Sequence, residues 1–163
     1  MQQQTNQRLI IQSVFLIDRS GSNARNIVNK TDFYDLLSSF GIESIVLEDY
    51  PLTEQIQIFK NAELVVAVHG AGLTNILFCR PDTKIIEILP PLCATPAFFK
   101  IAIANDLQYR YFIAKDEEIS DPVDYATWEH SPAKYNRRNV IIDVEEFGNL
   151  LHQVNTTNFL YET

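Results

Sequence analysis

Leu64-Val65-Val66-Ala67-Val68-His69-Gly70-Ala71-Gly72-Leu73-Thr74-Asn75 is the stretch on which the fold turns. Its first five residues are all apolar and largely β-branched, the pattern of a short strand covered on both faces. Gly70 and Gly72 then mark a tight turn into a helix that runs to about residue 78, where Arg80-Pro81-Asp82 ends it.

The same alternation continues in both directions. Upstream, residues 9–17 form a β-branched-rich run that stops at Asp18-Arg19-Ser20-Gly21, a turn composition. Ile27, Phe33, Leu36, Leu37 and Phe40 recur at helical intervals, so a helix fills most of residues 24–40, with Gly41 where a helix-ending glycine belongs. Residues 42–47 predict a short strand, and Thr53 opens a second helix through Gln55, Ile56, Phe59 and Ala62. Downstream, residues 85–89 predict a fourth strand, Thr95-Pro96 starts a helix over 97–104, and 107–113 a fifth strand. Residues 115–139, with Pro122, Trp128 and Pro132, lose periodicity and read as a long loop. Val140 to Ile142 lead to Asp143, which caps a last helix bearing Phe147, Leu150, Leu151 and Val154. Strand and helix in alternation, with continuously apolar strands, give an α/β domain: three layers, Rossmann-like, with a mainly parallel sheet. It spans residues 9–155 as a single domain, between a flexible segment at 1–8 and a tail at 156–163. Ligands of such sheets bind at the carboxyl ends of the strands, which brings loops 18–25, 48–52, 69–75 and 90–95 to one edge.

Composition narrows the function. The chain has 163 residues, 46% hydrophobic and 21% charged, the balance of one ordinary globular domain. At this length folding buries roughly 70% of the unfolded surface, so the core needs neither disulfides nor a metal. With 13 Lys and Arg against 21 Asp and Glu the net charge is −8, which repels nucleic-acid phosphates and anionic lipid. A phosphate-bearing ligand must therefore be met by a local cluster of cations and amides. Cys79 and Cys93 lack the spacing of a zinc or redox site and read as core thiols in a reducing compartment, the cytoplasm. No apolar run approaches the roughly 20 residues of a membrane-spanning helix. Residues 1–7 are polar, without the pattern of a signal peptide, so the Asn-x-Thr triplets at Asn29 and Asn155 read as coincidental.

The candidate site lies on the predicted ligand edge. Gly70 and Gly72 let backbone approach a ligand closely, and the amides from Gly70 through Ala71, Gly72 and Leu73 suit a phosphate. His69, Thr74 and Asn75 add side-chain hydrogen bonds. The same glycines also serve a ligand-free turn with close helix packing, His69 then being a satisfied strand-end residue. Arg19 and Arg25, with Asn29 one helical turn beyond, either neutralise a diphosphate through bidentate contacts or form a solvated helix face. Glu87 lies inside an apolar strand, where a carboxylate is costly, and it either accepts hydrogen bonds from a sugar or joins a structural ion pair. Glu54 and Gln55 head a helix, where a capping role fits, and His130 and His152 read as surface residues. The chain has no Walker A sequence, no G-x-G-x-x-G, no nucleophile elbow, no His/Cys metal cluster and no Asp-x-Asp, so no metal is expected.

Taken together, Arg19, Ala24-Arg25-Asn26-Ile27-Val28-Asn29, Glu54-Gln55 with Ala62, Val68 through Asn75 with Phe78 and Pro81, and Ile86-Glu87-Ile88 resemble glycosyltransferase family 61. The likeness covers roughly residues 17–109, and the His-Gly-Ala-Gly-Leu-Thr-Asn string is its most specific part. Lys30 departs from it, standing where the family pattern usually carries an acidic residue, as does a longer gap between Arg19 and Arg25. The resemblance implies inverting, generally metal-independent transfer of a sugar, often xylose or N-acetylglucosamine, from a nucleotide donor on a two-domain GT-B fold. It makes this chain the C-terminal donor-binding half. Arg19 and Arg25 would hold the diphosphate of a nucleotide-diphosphate sugar, with no separate cofactor, and His69 to Asn75 would line nucleotide and sugar. A glycan acceptor would enter against an N-terminal acceptor-binding half or partner chain that is missing here. The product would belong to polysaccharide or glycoconjugate synthesis, capsular polysaccharide among them. His69 is the local candidate for a catalytic role. The alternative is a non-catalytic Rossmann-like nucleotide-binding or interaction module; a hydrolase, suggested by the likeness of His-Gly-Ala-Gly to an oxyanion-hole string, lacks its nucleophile elbow.

Overall fold

The structure, a computed structural model, describes residues 13–19, 24–91, 93, 95–116 and 138–156. The apolar runs become β1 (Val14–Ile17), β2 (Glu43–Ile45), β3 (Leu64–Val68), β4 (Lys84–Leu89) and β5 (Gln108–Ile113). They alternate with helices α1 (Lys30–Ser39), α2 (Leu52–Lys60), α3 (Ala97–Ala104) and α4 (Val144–Thr156). All the strands pair in parallel, in the order β2-β1-β3-β4-β5.

Because successive strand residues point to opposite faces, the core divides in two. Leu16, Val66, Ile86, Ile88 and Phe112 meet Phe33 and Leu37 of α1 and Phe147, Leu151 and Val154 of α4. Phe15, Val65, Ala67 and Ile85 meet Phe59 of α2, Phe98 and Ala102 of α3, and Leu73 and Ile76. The three-layer, Rossmann-like arrangement expected from the alternation is the one that forms, and β3, buried along its whole length, is its centre. From β1 the chain steps outward to β2, then returns past β1 to β3 and proceeds the other way. Connections leaving β1 and β3 therefore diverge to opposite faces, which opens a crevice between their carboxyl ends.

Several local expectations change. The helix expected over most of 24–40 is shorter, beginning at Lys30, because Arg25 takes a left-handed backbone (φ 61°) that no right-handed helix contains. Gly41, at φ 71°, closes α1 as its sequence position predicts. The segment after β3 is a 3-10 helix, Ala71–Phe78, rather than an α-helix. Leu73, Ile76 and Cys79 are buried at intervals of three, the period of a 3-10 helix. Pro51 and Pro96, not Thr53 and Thr95, stand immediately before α2 and α3. Asp143 caps α4 as expected, its Oδ1 accepting the Glu146 N–H at 3.1 Å. The expectations for residues 1–12, for Ser20-Gly21, for 117–137 with Trp128 and His130, and for the tail beyond 156 lie outside the described residues. Among the described residues no helix is long and apolar enough to cross a membrane.

Candidate functional site

The crevice between β1 and β3 is where the arginines meet the glycine-rich segment. A Cβ built on Gly70 would lie 2.8 Å from Cζ of Arg19 and closer still to its Nη1, so the guanidinium rests against the bare Cα of Gly70. The backbone there is extended, φ 169°, so the demand for glycine comes from this contact and not from the dihedral. Arg25 does sit in a demanding conformation. A left-handed backbone at a non-glycine residue costs on the order of 1 kcal/mol and is held only where the surroundings over-determine it. Here they do: Val28 N–H donates to the Val140 carbonyl at 2.8 Å, and Val140 N–H to the Asn26 carbonyl at 2.9 Å. Asn29 completes the lacing, its Nδ2 donating to the Ile142 carbonyl at 2.7 Å and its Oδ1 accepting the Ile142 N–H at 3.0 Å. Asn29 is thus not one helical turn beyond Arg25, and its amide is engaged on both sides by Ile142.

The Nε of Arg25 is buried and has no hydrogen-bond partner among the described residues. Burial, and then the charge of Arg25, hold the Arg19 pKa below its ordinary value, against a smaller pull from Glu48. Two guanidinium groups close enough to repel one another form an arrangement that an anion relieves. Both line a cleft of about 320 Å³, counting its open mouth, with Asp18, Lys30, Tyr34 and Val68. Lys30 was visible in the sequence only as a departure. It stands 3.5 Å from Asp18 and 4.8 Å over the Tyr34 ring, bringing a further cation to the same wall.

Across the sheet edge, period-two alternation puts His69 on the α3 side with Ala67 and, on the next strand, Glu87. The His69 Nδ1–H donates to Glu87 Oε1, the Tyr109 hydroxyl donates to Oε2, and the Phe98 ring covers the imidazole at 5.1 Å. Glu87 is fully buried, so of its two sequence readings the structural ion pair is the one realised. Burial opposes charge on His69, but hydrogen bonds with Cys93 and Glu87 outweigh it and raise the pKa to about 9. Burial and then the bond to Glu87 push the Tyr109 hydroxyl well above its ordinary range. The sequence marks Cys93 only as a core thiol and does not single out Tyr109; the alternation within β5, which puts Tyr109 on the α3 face, is the available signal.

The remaining candidates divide between edge and core. Ala71 and Thr74 are exposed at the start of the 3-10 segment. Leu73, 1% exposed, anchors that segment in the core, and its N–H donates to the Gly70 carbonyl at 3.0 Å. A Cβ on Gly72 would lie 3.2 Å from Leu47 and 3.3 Å from Ile17, so this glycine serves close packing. The Asn75 amide donates to Gln55 Oε1 at 2.9 Å, and Gln55 Nε2 donates to the carbonyls of Leu47 and Tyr50, both at 2.9 Å. Gln55 is therefore a tie between the loop after β2 and the glycine-rich segment. Glu54 lies in the first turn of α2, as expected of an acidic helix start, and His152 is exposed.

The glycosyltransferase 61 family model matches residues 2–86, just over half of the chain and including both arginines and the whole of His69 to Asn75. The chain belongs to glycosyltransferase family 61. Similar to this family 61 chain is a beta-1,2-xylosyltransferase of Oryza sativa subsp. japonica, 26% identical over 98 residues, 55% of this chain and 18% of that protein. An EGF domain-specific O-linked N-acetylglucosamine transferase of Drosophila melanogaster is 27% identical over 131 residues, 78% of this chain and 24% of that one. A xylan glycosyltransferase of Arabidopsis thaliana is 26% identical over 158 residues, 83% of this chain and 32% of that one. The family 61 chain thus spans at most about a third of the length of these curated relatives.

Proposed function

We propose that this family 61 chain is the donor side of an inverting glycosyltransferase, a single unit over residues 9–155 that binds a nucleotide-diphosphate sugar. The observation that carries this reading is the gathering of Arg19 and Arg25 at the β1/β3 crevice, one guanidinium against Gly70 and the other with a buried, unbonded Nε. As the glycosidic bond to the donor breaks, negative charge builds on the departing diphosphate, and guanidinium groups already fixed there stabilise it without reorganising. In this reading the arginines meet that charge without a metal, and no cofactor beyond the donor is required. His69, Gly70, Ala71, Gly72 and Thr74 border the nucleotide and sugar, while Asn29, Leu73, Asn75 and Glu87 keep that border in place. A glycan acceptor, and the base that deprotonates its hydroxyl, are supplied from the other half of a GT-B enzyme or from a partner chain, in polysaccharide or glycoconjugate synthesis. The buried free thiols of Cys79 and Cys93 suit a reducing compartment such as the cytoplasm.

The relatives' names make xylose and N-acetylglucosamine the first sugars to try. Titration of the chain with UDP, GDP, UDP-xylose and UDP-N-acetylglucosamine, followed by melting temperature, is expected to show stabilisation by at least one of them. If none raises the melting temperature at millimolar concentration, the reading fails. Arg25→Gly removes the guanidinium and relaxes the left-handed backbone together. Its expected result is a ten- to hundredfold weaker affinity, the loss of about 1.5–3 kcal/mol of charge-assisted contact, with stability unchanged or slightly raised. The chain alone is expected to show little or no sugar transfer, and efficient transfer without a second half would refute the half-enzyme part. In an assembled enzyme, Arg25→Gly that left transfer untouched would favour the non-catalytic module.

A further inference from the structure

The crevice between β1 and β3 holds carboxylates as well as cations. Asp18 directly follows β1, its side chain is 13% exposed, and it lines the cleft with Arg19 and Arg25, while Glu48 pulls electrostatically on Arg19. Two guanidinium groups thus face two carboxylates. Such an even count offers little to a ligand carrying several negative charges, in a chain whose net charge is already −8. Lys30 breaks the balance. Its Nζ stands 3.5 Å from Asp18 Oδ2 and 4.8 Å over the Tyr34 ring, and all three residues line the cleft that the arginines line.

Lys30 holds this place against the preference of its own helix. It is the first residue of α1, the end where the aligned peptide dipoles already concentrate positive charge. Asn29, just before it, makes no side-chain capping bond to that end, its amide being taken up by Ile142. A cation at this position is therefore unfavourable to α1, and a partly exposed pair with Asp18 adds little to folding. A side chain set against a local rule, with no return in stability, points to the site it borders. We propose that Lys30 is a specificity-determining residue of the diphosphate site: it cancels the Asp18 carboxylate, leaves the crevice with one surplus positive charge, and so favours a diphosphate over a monophosphate. The proposal rests on the reading of this crevice as a diphosphate site. Arg19 and Arg25 supply directed contacts, and Lys30 supplies net charge.

Calorimetric titration of the chain with UDP, UMP and inorganic pyrophosphate at about pH 7.5 is the test. Lys30→Met is expected to bind UDP and pyrophosphate about three- to tenfold more weakly. For UMP, which carries about one negative charge fewer, the loss is smaller, so the two nucleotides are told apart less well. Salt at roughly 0.5 M is expected to shrink the difference between Lys30→Met and wild type, which a merely structural role would leave unmoved. The melting temperature of Lys30→Met is expected to stay put or rise by about a degree or two. Lys30→Arg, which keeps the charge, is expected to bind like wild type, and the double substitution of Lys30→Met with Asp18→Asn to recover wild-type affinity to within about twofold. Wild-type affinity for UDP in Lys30→Met overturns the charge role. A loss that the double variant does not recover overturns the cancellation of Asp18. Both of those outcomes leave the diphosphate reading standing, whereas a wild-type chain that binds neither UDP nor pyrophosphate overturns that reading and the proposal with it.

Discussion

Replacing Gly70 by alanine is expected to weaken nucleoside-diphosphate binding ten- to hundredfold while changing folding stability by less than about 1 kcal/mol. The added Cβ would fall on Nη1 and Cζ of Arg19, the far end of a flexible side chain, so the clash is relieved by swinging the guanidinium off the crevice and not by moving backbone. The extended dihedral at residue 70 accepts any L-residue, which removes the other source of destabilisation. What is lost is a charge-assisted contact of about 1.5–3 kcal/mol, and each 1.4 kcal/mol is a factor of ten. Calorimetric titration with UDP beside thermal denaturation separates the two effects. Wild-type affinity in Gly70→Ala would mean that Arg19 takes no part in binding. Gly72→Ala provides the contrast, because its Cβ presses on Leu47 and Ile17 in the core and its cost falls on stability.

Phe147→Ala is expected to destabilise the chain by about 3–5 kcal/mol, a large share of the roughly 5–15 kcal/mol that holds a domain folded. Phe147 is fully buried at the centre of an edge-to-face trio, its ring 5.0 Å from Phe33 and 5.0 Å from Phe112. One side chain therefore joins α4 to α1 and to β5, and truncation leaves a cavity that three elements border. Urea denaturation should show the midpoint falling steeply. A loss below about 1 kcal/mol would make α4 a peripheral element instead of part of the core.

Strand content, parallel pairing and the strand-end edge where Arg19 meets Gly70 are legible because each depends on local pattern. The run from Leu64 to Val68 can be buried on both faces only in a covered sheet, and Gly41 and Asp143 act through their nearest neighbours. What escaped notice depends on residues far apart in the chain. From sequence Asn29 reads as a side chain of the ligand edge, and its hydrogen bonds to Ile142, 113 residues away, are recorded by no periodicity near residue 29. The left-handed turn at Arg25 is imposed by the same distant segment, so the helical spacing of Ile27 and Phe33 pointed to an α1 that starts too early. The 3-10 form of Ala71–Phe78 was half visible, since Leu73, Ile76 and Cys79 repeat every three residues, a spacing that an α-helix also tolerates. Glu87 was recognisable as anomalous in an apolar strand, but its choice of partners is set by which strands flank β4.

The lacing of residues 26–29 to 139–142 also sets an order of events. The sheet and the glycine-rich segment are complete once β5 has been made, whereas the loop carrying Arg25 waits for Val140 and Ile142. At roughly 5–20 residues per second of synthesis, that wait is on the order of ten seconds after the loop itself leaves the ribosome. Closing so long a stretch adds its own entropic delay. Under the proposed reading, affinity for a diphosphate follows the docking of residues 139–142 onto the loop that carries Arg25, which makes ligand capture a direct report of that docking.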